Sequence, residues 1–131
     1  MTVFSKIIAG EIPSYKVAED ENYYAFLDIN PLAAGHTLVV PKKETDYIFD
    51  LSDEDLSGLM VFAKKVAHAL IKAYPAPKIG ISVIGLDVPH VHVHLVPLQD
   101  NTTINFAKEK LKLSAAEFQE IAENIANNFH L

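Results

Sequence analysis

Cysteine is absent from this chain, so neither a disulfide nor a catalytic thiol is available, and any zinc site would need histidine and carboxylate ligands. No long apolar run and no positively charged, apolar leader opens the sequence, which predicts a soluble cytoplasmic protein with no membrane partner. Neither a P-loop nor a GxGxxG pattern occurs, so the common phosphate-cradling loops are missing. Basic charge is also scarce: 11 Lys and Arg against 17 Asp and Glu leave a formal net charge of -6. That balance argues against a long nucleic-acid partner, which calls for a basic stripe to displace counterions. A mononucleotide is compatible with it, because a few local donors in a pocket can hold one phosphate.

What is present suits one domain. The 131 residues are 50% hydrophobic, enough to bury a core without staples. VFSKIIAGEIP carries apolar residues at near-helical spacing and predicts a helix ended by Pro13. SYKVAED and YYAFLDI read as strands joined by the polar turn EDEN, and GHTLVVP as a third strand after the break NPLAAG. Ser52 and Asp55 suggest a capping box, followed by Leu56, Leu59, Met60, Ala63, Val66, Ala67, Leu70 and Tyr74 along a long amphipathic helix. His68 falls on its lysine-rich polar side and reads as solvated. IGISVIG is a further strand. Ser114 and Glu117 cap a terminal helix whose apolar edge is Phe118, Ile121, Ile125 and Phe129. This order predicts an α+β domain with a mainly antiparallel sheet of about five strands, a long central helix and a C-terminal helix.

The densest chemistry lies in HVHVH, residues 90 to 94. In extended chain a period of two gathers His90, His92 and His94 on one face and sends Val91, Val93 and Leu95 to the other. Pro89 and Pro97 punctuate the two ends of the run. Three imidazoles in register are costly to bury without partners, so stability alone is a poor reason for them. The outer two span roughly 13 Å at strand rise, against metal to nitrogen bonds of about 2 Å, so all three cannot share one ion. A metal would need two of them plus His36, Asp28 or Glu44. A nucleophile flanked by groups that orient it and handle protons fits the spacing better.

HVHVHLVP resembles the signature of the histidine triad (HIT) family. FSKIIAGEIPSYKVAEDENYYAFLDINPLAAGHTLVVPKK upstream is similar to the Hint branch, and the resemblance covers about residues 3 to 99. It implies a HIT-like fold, with a nucleotide-binding catalytic domain over residues 1–105 and a helical extension over 106–131 packed on that domain or on a dimer partner. It implies a homodimeric hydrolase or transferase acting at the α-phosphate of a purine nucleotide, phosphoramidase-like, with no metal and no cofactor. Dinucleoside polyphosphate hydrolysis, as in the Fhit branch, and a non-catalytic nucleotide-binding dimer are the alternatives. In the family pattern His92 is the nucleophile that becomes nucleotidylated, its tautomer fixed by the carbonyl of His90. His94 stabilises charge or passes a proton to the leaving group, and His90 and His36 form a supporting pair behind. Asp28 matches the ribose-binding acid, and Phe4, Ile7, Phe26, Leu27 and Ile29 the apolar base cleft. Two departures stand out. The cysteine pair of some zinc-binding members is replaced around Thr2 and Ser5. IGLDVPH is shorter than the family's Gly-rich loop before the triad and carries Asp87 where a hydroxyl or Glu is usual, with consequences for the leaving group.

Overall fold

The computed structural model describes residues 1–130. Helix α1 (Val3–Ile8) leads into the antiparallel meander β1 (Lys16–Glu19), β2 (Tyr23–Leu27) and β3 (Thr37–Pro41). The long helix α2 (Asp53–Ala73), β4 (Lys78–Ser82), β5 (Val93–Leu98) and α3 (Ala115–Ala126) follow. The sheet has five strands in the order β1-β2-β3-β5-β4, antiparallel at every pairing. The α+β expectation therefore holds. No helix among the described residues is long and apolar enough to cross a membrane.

Alternation along the strands divides the core in two. Tyr23, Ala25 and Leu27 of β2, Val39 of β3 and Val93 and Leu95 of β5 face α2 and α3, where they join Leu59, Phe62, Val66, Leu70, Phe118, Ile121 and Ile125. Tyr24, Phe26, Leu38 and Val40 face the other way and pack with Phe4 of α1. Ser52 accepts from the Asp55 amide at the start of α2, while Ser114 and Glu117 form a full reciprocal capping box at α3.

Several boundaries differ from the sequence reading. Helix α1 stops at Ile8, well short of Pro13, because the chain turns through Gly10 at φ 81, a conformation costly to side chains. On α2, Phe62 is buried and Met60 lies exposed near β4. Pro97 sits inside β5 rather than ending it. It lies past Thr37↔Leu95, where the β3 ladder ends, so its missing amide costs no bond on that side.

Candidate active site

The site lies on the sheet face opposite α2 and α3. Cross-strand register sets Leu38 opposite His94, which puts His94 and, two residues back from Leu38, His36 on one face. Only His94 belongs to β5; His90 ends a bend and His92 directly precedes the strand, both outside the ladder. The alternation nevertheless persists. Val91, Val93 and Leu95 are in the core beneath the helices, while the His92 and His94 rings lie 5.1 Å apart on the other side. Phe4 meets His92 edge to face at 5.0 Å, so α1 forms one wall of the site.

Hydrogen-bond partners fix the tautomers. The carbonyl of His90 accepts from Nδ1 of His92 at 2.8 Å, which leaves Nε2 of a neutral His92 with a free lone pair. His36 Nδ1 accepts from the Leu32 amide at 3.0 Å, so its proton sits on Nε2 and is donated to His94 Nδ1 at 2.9 Å. Neutral His94 must then carry its proton on Nε2. Two neighbouring rings thus offer opposite functions: a lone pair on His92 and a donor on His94.

The supporting pair differs from the family-derived expectation, because His36 bonds His94 and not His90. The β3 to β5 register sets Leu38 opposite His94, which brings His36 to that ring and not to His90. His90 instead donates from Nε2 to the Pro41 carbonyl at 2.8 Å and accepts at Nδ1 from the Thr2 hydroxyl at 2.7 Å. Glu44 accepts from the Thr2 amide at 2.6 Å and the Ser5 hydroxyl at 2.7 Å, tying the start of α1 to the segment after β3.

Burial holds the pKa of His36, His90 and His94 below the usual imidazole value. His36 is lowered to about 3 by desolvation, with the charges of His94 and Lys110 adding to it. His94 is lowered to about 4, again by desolvation first and His92 second. Both are uncharged at neutral pH, so the 3.5 Å approach of His36 Nε2 to Asp28 Oδ2 is no ion pair. Asp28 is raised by its own desolvation, against the opposing hydrogen bond from the Asn30 amide.

These groups open onto a cavity of about 620 Å³, a size suited to a small-molecule ligand. Phe4, Ile7, Phe26, Asp28, Ile29, Asp87, His92 and His94 all line it. Leu27 borders it too, but its side chain lies in the core beneath the helices, since period two turns it away from its neighbours Phe26 and Asp28. His36 and His90 stand behind as buried supports. The sequence reading missed Phe106 and Lys110, which complete the wall. A boundary at residue 105 therefore divides the cavity lining. Periodicity offered no signal for either residue; an aromatic in the polar run NTTINFAKEK was the one available cue.

Asp28, His36 and His94 bring ligand-type atoms within 4.8 Å of one another. The nitrogens of His36 and His94 already share a proton, which a metal would have to displace. Around the start of α1, Thr2 and Ser5 both bond Glu44, and the Thr2 hydroxyl bonds His90.

The family model described as HIT domain matches residues 9–101. An uncharacterized HIT-like protein of Borreliella burgdorferi is 37% identical over 134 residues, covering 96% of this chain and 96% of its own length. Adenosine 5'-monophosphoramidase of Saccharomyces cerevisiae is 41% identical over 99 residues, covering 75% of this chain and 63% of its own. A Hit-like protein involved in cell-cycle regulation from Bartonella henselae has a crystal structure that matches with a TM-score of 0.85 at 32% identity, covering 98% of this chain and 96% of its own.

Proposed function

The chain belongs to the histidine triad family, and from that premise we propose that it is a nucleotide hydrolase or transferase working through a nucleotidyl-histidine intermediate. The observation that carries this reading is His92, held by the His90 carbonyl with its Nε2 lone pair free and with His92 lining the cavity. Nε2 attacks the α-phosphorus, a phosphorus to nitrogen bond is formed, and the bond to the leaving group breaks. The His94 Nε2 proton stabilises charge that develops at phosphorus or on the leaving atom. Water then cleaves the histidine adduct and releases the nucleoside monophosphate. With His92 as nucleophile and the His94 proton meeting the developing charge, this route assigns no step to a metal.

The apolar wall of Phe4, Ile7, Phe26 and Ile29 suits a purine ring, and the Asp28 carboxylate suits a ribose diol. A phosphoramidate is the favoured substrate, supported by the yeast relative's name and by Asp87, whose carboxylate favours an amine leaving group over a second phosphate. Adenosine 5'-phosphoramidate should be turned over faster than diadenosine triphosphate, and chelator should change neither rate. Preference for the dinucleotide would favour polyphosphate hydrolysis, and inactivity on both a binding role.

The working unit in this reading is a homodimer. Strand β4 is an edge strand, Ile81 on it is half exposed, and Met60, Ala67 and Ile79 line a groove between it and α2. A second copy pairing at that edge would satisfy its open backbone groups and cover the groove. Sedimentation at micromolar concentration should give twice the 14.5 kDa chain mass, and a 14.5 kDa species throughout would contradict it.

A further inference from the structure

A phosphate brings at least one negative charge into a cavity where His94, and His36 behind it, offer no positive charge to meet it. His36 and His94 are both held in the neutral form by burial. Asp28 and Asp87 add carboxylates to the lining. The chain contains no arginine, since all 11 of its Lys and Arg positions are lysine. Of these, Lys110 is the lysine that lines the cavity.

Its position is held. The ammonium donates to the Phe106 carbonyl at 2.6 Å and to the Lys108 carbonyl at 2.9 Å. An ammonium has three donors, so one remains for a ligand. The loop carrying it is anchored at both ends: Phe106 packs edge to face on His94 at 4.8 Å, and the Leu111 amide donates to the Pro31 carbonyl at 2.9 Å. Lys110 lines the same cavity as Asp28, Phe106 and His94. A cation fixed in advance loses little freedom on meeting an anion.

We propose that Lys110 is the phosphate-reading residue of this site, its third proton meeting a non-bridging oxygen of the nucleotide phosphate and so selecting nucleotides over nucleosides. This rests on the nucleotide reading above and assigns to the loop after β5 a part of the specificity. Lys110 contributes to ground-state binding of the anion, whereas His92 and His94 act at the reacting bond.

Calorimetric titration of the full chain with adenosine and with adenosine 5'-monophosphate tests it. The wild type should bind the monophosphate more tightly than the nucleoside. Lys110→Met should shrink that ratio by about tenfold, the size of one charge-assisted hydrogen bond, while leaving the adenosine Kd unchanged. Lys110→Arg, which keeps the charge, should restore most of the ratio. An unchanged ratio in Lys110→Met would overturn the assignment, as would equal weakening of both ligands, which would make Lys110 a shaper of the loop. Wild-type protein that binds neither ligand would instead overturn the nucleotide reading on which the assignment depends.

Discussion

Replacing His92 by glycine should lower turnover of adenosine 5'-phosphoramidate by at least about 10⁴-fold and change nucleotide binding by less than about tenfold. The asymmetry follows from the site. The lone pair on His92 Nε2 exists because the His90 carbonyl fixes the proton on Nδ1, and no neighbour can replace it. The nearest imidazole, His94, has Nδ1 engaged by His36 and its own proton on Nε2, so it presents a donor where a nucleophile is needed. His94→Ala should be less severe, about 10² to 10³-fold, the usual cost of one donor to developing charge. Equal losses in the two variants would argue for a shared role such as metal ligation, and chelator sensitivity would then accompany them.

Truncating Ile125 should destabilise the chain by about 3 kcal/mol, within the range for emptying a buried aliphatic site. Ile125 is fully buried and belongs to the same cluster as Leu59, Val66 and Val93. Helix α3 lies against β1 and α2 of its own chain, and Tyr15 stacks on Phe118 at 5.0 Å. Urea denaturation of Ile125→Ala should therefore show one cooperative transition at a lower midpoint with the slope retained. A loss under about 1 kcal/mol, or a separate early transition, would mean that α3 is an appendage to the domain.

The sequence disclosed those features that depend on local period. Alternation of His90, His92 and His94 with Val91, Val93 and Leu95 separates the core face from the site face, even where the backbone leaves the ladder. Ser114 and Glu117 marked the start of α3 to the residue. Features set by distant pairing were hidden. That His36 supports His94 depends on the β3 to β5 register, which no local pattern records. Phe106 and Lys110 reach the cavity because the Leu111 amide meets the Pro31 carbonyl, a contact across 80 residues of chain. Leu27 illustrates the opposite difficulty: it sits within a cavity-lining motif, yet period two directs its side chain to the other face. The bond of Thr2 to His90, and of Glu44 to Thr2, arises from tertiary folding across 88 and 42 residues of chain, which no local pattern records.

The most direct test of a covalent route through His92 is rapid-quench mass spectrometry of the enzyme during turnover of adenosine 5'-phosphoramidate, with the modified peptide sequenced. The site geometry predicts one nucleoside monophosphate on His92, appearing before free product and decaying as product forms. Product that accumulates with no adduct on His92, or with the nucleotide on another residue, would contradict it.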